Sequence, residues 1–591
     1  DYTIIQGKNL IHNKLADNHW FQEMRERGGE LVGIYPDYSP TVQKCDRWLP
    51  IRPGSDPAIP LGFAHVIIDE ERYDAEFMRG FTSLPLLVRE DTSKYLRAHE
   101  VFDDVEPPDP AEGEHGHDDW GQFVVLDPDG EPVAITREQV GGELPTEPQL
   151  EADTELELAD GSSVRVRTDF QRQADNVLEN YDPETVEEIT TVPADAIRKT
   201  AREFAAAENA QWLTGEGINH WFHGNSECQR SIFFVQAMLG NIGKPGNGYY
   251  NYSGQYKIEL LDGYPSYVNP DGMAARGMYP GYAFAFFGGE TLDPHEIRGD
   301  FDEELDLVAH EDAEEPVIPE GATSYTMKKP TVLWTMNCNL LNQTKHQEHV
   351  VRNFTKHPDT SNELFIVSDL HMTYSARHAD IVLPVDSWLE NQYPDITVGP
   401  ENPFIMMDHG VMDRVYDTKQ DGEILALLAE RLDEKIPESE RDVSFRSYFA
   451  EFLDEDGDVR NYIQDTLDAG MTTRGISVDE LEKGPKRLQL KTYPRIPFYS
   501  QVHEDRPFYT KTGRMEFHKE EDRFIELGRA DLDHIESPEG TPYGRNKKWP
   551  EAKDESNPLY DEGYTFFHNT PHPKYRTHSS WGMTDWNLIW S

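Results

Sequence analysis

The chain opens with a short apolar run, residues 2–5, that stops at Gly7. Residues 16–25 then have helical composition, with Asp17 as N-cap candidate, and Gly28-Gly29 ends the stretch. A second apolar run, 31–35, is followed at once by Pro36-Asp37-Tyr38-Ser39. Strand, helix and strand in that order predict a parallel βαβ unit with helices on the faces of its sheet. The same grammar returns mid-chain. Residues 331–334 read as strand, 337–342 as polar loop, 344–354 as helix, and 364–367 as the next strand, closed by Ser368-Asp369. Asp46-Arg-Trp-Leu-Pro50 is echoed by Asp380-Ile-Val-Leu-Pro384. Each half therefore sets an acid, Asp37 or Asp369, just beyond a strand's carboxyl end, counted from Asn9 in one and Asn337 in the other. Ligands of open α/β sheets bind at that edge, where acids can bond a ribose or a base. The alternative for each acid is a helix cap.

Between the halves, residues 103–119 are acidic and proline-rich, which predicts a solvated loop. Stretches 123–133 and 164–166 predict a small β excursion. Helix starts are expected at Asp182-Pro183 and at Pro193. A strand at 211–214 feeds Gly215-Glu-Gly217-Ile-Asn219-His220-Trp221 and then a helix over 227–239. Strand, glycine turn and helix suit an anion, although a tight turn alone explains the glycines equally well. Segments 300–320 and 531–562 are again acidic, as surface insertions are. The predicted fold is α/β: two related parallel-sheet, Rossmann-like domains with helices on both faces, plus β-rich and loop insertions. The boundaries expected are a first nucleotide-binding half over 1–100, the acidic loop and β excursion over 101–180, and a helical, glycine-rich region over 181–330. A second nucleotide-binding half follows over 331–450, a connecting region over 451–560, and the start of a C-terminal β-barrel domain over 561–591.

Charge narrows the function. Among 591 residues, 110 Asp+Glu stand against 55 Lys+Arg, for a net charge of −55. Such a surface repels nucleic-acid phosphates, so no nucleic-acid partner is expected. The acids run through the whole chain, and high salt would screen their mutual repulsion, so the composition reads as adaptation to a saline environment. The alternative is a cationic partner. With 37% hydrophobic residues the chain can bury a core. No run approaches the ~20 apolar residues of a transmembrane helix. Cys45, Cys228 and Cys338 stand far apart with no C-x-x-C, so neither a cluster nor a zinc ion is expected on this chain's own cysteines. The chain starts at Asp1 without Met and ends in an apolar run, from which a fragment or a processed chain is expected.

Three stretches, 215–223, Gly240-Asn-Ile-Gly-Lys-Pro-Gly-Asn-Gly248 and Tyr252-Ser-Gly-Gln-Tyr256, resemble the molybdopterin oxidoreductases, the dimethyl sulfoxide reductase family. Arg52-Pro-Gly-Ser-Asp56, Ala379-Asp-Ile-Val-Leu-Pro384, Thr510-Lys-Thr-Gly-Arg-Met-Glu-Phe517 and 570–580 match it in the expected order over nearly the whole chain. The nearest branch is that of respiratory nitrate reductase catalytic (alpha) subunits, here with a halophile's composition. The resemblance implies molybdenum held by two molybdopterin guanine dinucleotides. One guanosine end would rest on Asp37 and on Pro53, Gly54, Ser55 and Asp56, with Gly7 and Asn9 nearby. The other would rest on Asn337, Asn339, Ser368 and Asp369. Gly215, Gly217, Asn219, Gly254 and Gln255 would approach the pterin, and Ser579 and Ser580 would close the pocket. Trp221 and Trp334 are stacking candidates, with a place in the core as the alternative. His220 and His578 would bond the oxyanion or deliver protons; an ordinary buried histidine is the alternative for His220, and turn residues are the alternative for the two serines. Tyr38-Ser39 follows Asp37 where relatives often carry Arg, which puts that contact in question.

The resemblance further implies reduction of nitrate to nitrite by oxygen-atom transfer in anaerobic respiration. Selenate, chlorate, dimethyl sulfoxide and hydrocarbon substrates belong to the same branch, and a non-catalytic electron-transfer scaffold is the alternative of another class. An iron–sulfur cluster is expected in an N-terminal segment outside this chain, as is the protein ligand to molybdenum. An iron–sulfur beta subunit and a membrane-anchor subunit are the implied partners, with the complex at the cytoplasmic membrane, outer face favoured.

Overall fold

The computed structural model describes residues 1–13, 15–108, 121–215, 218, 225–251, 332–336, 338–343, 364–398, 404–441, 444–446, 459–469, 473, 475–483, 487–489, 496–508, 510–526 and 528–534. The chain divides into two compact units, Asp1–Tyr252 with Pro494–Lys574, and Ser253–Tyr493 with Tyr575–Ser591.

In the first unit, β1 (Tyr2–Gln6), β2 (Glu30–Tyr35), β3 (Arg47–Pro50), β4 (Ala210–Thr214) and β5 (Gly248–Tyr250) form one sheet. Their order is β5-β4-β1-β2-β3 and every pairing is parallel. Successive side chains point to opposite faces, and both faces are covered, which is why β1 and β2 are buried along nearly their whole length. Tyr2, Ile4, Val32, Ile34, Leu49 and Trp212 enter the main core. The helix α2 (Ala58–Asp69) lies in that core, apolar all round as a buried helix is, and packs on α3 (Asp169–Asn180), α4 (Pro183–Thr190), α5 (Ala194–Ala206) and α6 (Asn225–Met238). On the opposite face Ile5, Leu31, Tyr35 and Leu213 pack with Phe21 and Met24 of α1 (Leu15–Glu26). Helices thus cover both faces. Asp182 and Pro193 stand at the N-caps of α4 and α5, as the sequence predicts. Asp17 does not cap α1: that helix begins at Leu15 and Asp17 sits in its first turn.

The β excursion is larger than its sequence suggests. Strands Leu87–Arg89, Ser163–Thr168 and Asp153–Glu157 form an antiparallel sheet, and Phe123–Leu126 pairs with Pro132–Ile135. The stretch 510–534 returns to this unit. Met515 bridges Thr82, and Arg230 of α6 donates to the carbonyls of Phe517 at 2.6 Å and Ala530 at 3.0 Å.

The second unit carries a smaller parallel sheet, β6 (Val332–Met336), β7 (Leu364–Asp369) and β8 (Ile381–Pro384), in that order. It also carries an antiparallel sheet of Asp395–Val398, Phe404–Asp408 and Arg487–Gln489. The predicted helix over 344–354 lies outside the described residues, as does most of the acidic loop 103–119; a short helix, Leu340–Gln343, follows β6 instead of a purely polar loop. Among the described residues, no helix is long and apolar enough to cross a membrane.

Candidate nucleotide-binding edges

All five strands of the first sheet run the same way, so the segments that follow β1, β2, β3 and β4 gather at one carboxyl edge. There Gly7 (φ +61°) and Gly215 bring two loops into contact. A Cβ on Gly215 would stand 2.8 Å from the Gly7 carbonyl oxygen, and one on Gly7 would stand 2.8 Å from Ile218 Cγ1. The loop after β3 is a turn: Gly54 takes φ +83° and Ser55 N donates to the Arg52 carbonyl at 3.2 Å. Proline at the second position and a left-handed glycine at the third are what a type II turn requires. Ser55 Oγ closes the same turn at 2.6 Å, and the Arg52 guanidinium anchors it to the Ile189 carbonyl at 2.8 Å.

Asp56, next in line, faces inward. Gln6 bridges it to the core, donating to Asp56 Oδ1 at 3.0 Å while accepting from Trp212 Nε1 at 3.1 Å. Burial pushes the Asp56 carboxyl up to about 6, although the Gln6 bond pulls the other way. Gln6 was not singled out from sequence, because a strand-end glutamine carries no local signal. Asp37 is half-buried, two residues past β2, beside the exposed Tyr38 that meets Trp48 edge-on at 5.3 Å. Asn9 accepts from the Thr41 hydroxyl at 3.0 Å on the same edge.

The second sheet also carries polar residues at its carboxyl edge. Ser368 and Asp369 are not a cap after β7 but its last two residues. Trp334 Nε1 donates to Ser368 Oγ at 2.8 Å. Asp369 accepts from the His371 amide at 3.2 Å and from the Thr373 hydroxyl at 3.4 Å. Burial pushes the Cys338 thiol up, and the Asp369 carboxylate adds to the shift. Asn339 is buried at the start of the loop after β6.

Register corrects the correspondence between the halves. Ile4 pairs with Val32 and Trp334 with Ile366, while Tyr35 pairs with Pro50 and Asp369 with Pro384. Counted from those pairs, Asn9 matches Asn339 rather than Asn337. Asp369 matches Tyr35, and Asp37 matches His371. The Asp46 and Asp380 echo is structural: each carboxylate accepts from a β-strand amide, Leu31 at 3.0 Å and Phe365 at 2.9 Å. Each aspartate's own amide donates back to the same residue's carbonyl, at 2.7 and 2.9 Å. Both aspartates therefore sit immediately before their strands and tie them to the neighbouring strand's backbone, and Asp46 also accepts from Arg25 Nε at 2.8 Å.

Gly217, Asn219, His220, Trp221, Gly254, Gln255, Asn337, His578, Ser579 and Ser580 lie outside the described residues. The first edge carries a carboxylate, an asparagine amide, hydroxyls and a glycine turn, and the second, taken by itself, a carboxylate, an asparagine amide and hydroxyls. That set fits a nucleotide, whose base offers N–H donors and whose ribose and phosphates offer acceptors.

The family model for molybdopterin oxidoreductases matches residues 1–431. The perchlorate reductase alpha subunit of Dechloromonas aromatica is 27% identical over 98% of this chain and 62% of its own length. The respiratory nitrate reductase alpha subunit of Haloferax mediterranei is also 27% identical, over 98% of this chain and 59% of its own. The chain thus spans about three fifths of the length of these relatives. Acetylene hydratase from Pelobacter acetylenicus superposes with a TM-score of 0.53 at 18% identity, covering 91% of this chain and 58% of that one, which supports the fold.

Proposed function

Because this chain belongs to the molybdopterin oxidoreductase family, we propose that it is the central part of the catalytic subunit of a respiratory oxyanion reductase acting on nitrate. The observation that carries the reading is the pair of parallel sheets in matching register, each presenting polar loops at its carboxyl edge. Family membership implies molybdenum with molybdopterin, and the two edges suit a guanine dinucleotide form with one guanosine end on each. When bound, the molybdenum centre supplies the oxygen-atom transfer; the protein supplies binding, orientation and electrostatics.

Asp37 and the turn Pro53–Ser55 would hold one guanosine. A carboxylate accepts from the base N1–H and N2–H, and the glycine turn lets backbone amides approach oxygen. Asp369, Ser368 and Asn339, with Trp334 behind them, would hold the other. Asp56 serves chiefly through the Gln6 bridge, fixing the turn from beneath. His220 and His578 remain the proposed partners of the oxyanion, able to carry a proton near neutral pH.

Nitrate is favoured over perchlorate, whose reductase is equally similar, by the net charge of −55 together with a nitrate-reducing relative from a halophile. Both relatives are alpha subunits, which supports further subunits as partners; we propose an iron–sulfur beta subunit and a membrane-anchor subunit, with the complex at the outer face of the cytoplasmic membrane. The test is kcat/KM for nitrate, perchlorate, chlorate, selenate and dimethyl sulfoxide with a reduced viologen donor, on the native complex in high salt. Nitrate should lead. A clear preference for perchlorate or chlorate would replace the substrate assignment, and no turnover of any acceptor by a fully assembled complex would favour the electron-transfer scaffold.

A further inference from the structure

The two edges repeat a side-chain relay as well as a fold. Thr41 and Ser375 occupy equivalent positions, nine residues beyond Val32 and Ile366, which pair with Ile4 and Trp334 in their own sheets. Both are fully buried. Thr41 Oγ1 accepts from the Ile11 amide at 3.2 Å and donates to Asn9 Oδ1 at 3.0 Å. Ser375 Oγ accepts from the Leu341 amide at 3.0 Å and donates to Asn339 Oδ1 at 2.9 Å. Ile11 and Leu341 each lie two residues past their asparagine, so every member of one relay has its counterpart in the other.

The relay decides which end of each asparagine faces outward. A hydroxyl has one proton to give, and in each relay it is given to the asparagine oxygen. Only a carbonyl oxygen can receive it. In the second sheet the Ser375 amide also donates to Asn339 Oδ1, at 3.1 Å, which fixes the same orientation twice. With each Oδ1 turned inward, Nδ2 is the end left to act, and among the described residues no bond from either Nδ2 is made. An untethered asparagine could offer a donor or an acceptor; these two offer donors only.

We propose that Thr41 and Ser375 are positioning residues that orient Asn9 and Asn339, so that each sheet edge presents a fixed N–H donor to a phosphate or ribose oxygen of one nucleotide end. This rests on the reading that a nucleotide end lies at each sheet, and extends it to two residues and a hydrogen-bond polarity. Neither hydroxyl touches the nucleotide. The two relays share no residue, so each acts on its own end.

The experiment measures guanylate released by mild acid hydrolysis from the purified complex in high salt, per catalytic chain. T41V removes the proton at nearly constant shape, and S375A does so in the other half. T41S and S375T exchange the two natural solutions and keep the hydroxyl. N9D and N339D replace the amide donor with an acceptor. T41V, S375A, N9D and N339D should each keep about half the wild-type guanylate, the loss confined to one end because the bonds are separate. T41S and S375T should keep it all. Wild-type retention by T41V and S375A would overturn the proposal, as would a T41S that loses as much as T41V, since that would mark a packing role. Should T41V not accumulate, S375A, which removes the equivalent hydroxyl from the independent second relay, decides. No guanylate from the wild type would refute the underlying nucleotide reading instead.

Discussion

Asp56→Asn offers a quantitative test of how the first sheet edge is built. Asp56 is 9% exposed, and burial raises its carboxyl from 3.8 to about 6. An acid whose folded pKa is raised has the charged form disfavoured in the fold. Its penalty is absent below the unfolded value, grows as pH rises between the two values, and is constant above the folded one. At about 1.4 kcal/mol per pH unit, the difference between 3.8 and about 6 is a penalty of about 3 kcal/mol at neutral pH. Asparagine removes it while still accepting from Gln6. D56N should therefore be more stable than wild type at pH 8 by up to ~3 kcal/mol, with about half of that gain arising between pH 5 and pH 8. Urea unfolding followed by tryptophan fluorescence in high salt, on both proteins across that range, reads the difference. A pH-independent difference would refute the argument, and a D56N less stable at pH 8 would show that the ionised carboxylate is compensated by partners stronger than Gln6.

Three further outcomes follow from the same contacts. Gly7→Ala forces a side chain into φ +61° against Ile218 and should cost ~1–3 kcal/mol, lowering the melting temperature and displacing the Gly215 loop. Asp531→Asn removes the carboxylate that bonds the buried His518 ring at 2.8 Å and Arg172 at 2.7 Å, and should cost ~3 kcal/mol in urea unfolding. Burial opposes the charged His518 ring, but the Asp531 carboxylate outweighs it and raises the histidine, while Asp531 itself is lowered against burial by His518 and Arg172. The histidine's stabilisation is therefore full below 6.5 and lost as pH rises through its higher folded value; the aspartate's persists down into strong acid. D531N should flatten the melting curve across the first of these windows. Finally, dilution from ~1 M to ~0.1 M salt lengthens the screening distance from ~3 Å to ~10 Å. With a net charge of −55 the melting temperature should fall steadily on dilution, and a flat profile would argue against salt adaptation.

The parallel sheets were legible because a strand buried on both faces needs only a short apolar run bounded by turn residues, as at 31–35 and 364–367. What failed was register. Ser368 and Asp369 read as a stop, yet Asp369 pairs with Pro384 inside the ladder, so Asp37 and Asp369 are not counterparts. The Asp46 and Asp380 repeat did mark equivalent positions, because the backbone bonds each makes depend on where its strand starts. Strand Leu87–Arg89 escaped notice because its partner, Ser163–Thr168, is remote in sequence. The buried cluster of Asp169, His518 and Asp531 is likewise assembled only when 510–534 returns to the first unit. Gln6, Thr41 and Ser375 had no local signal: each matters through a bond whose partner only the fold supplies.

The most direct test of the family-level chemistry is the molybdenum content of the native complex, purified in high salt and measured by elemental analysis against catalytic chain. About one molybdenum per chain is the expected result. A complex that retains its iron and its full-length catalytic chain but carries no molybdenum would contradict it.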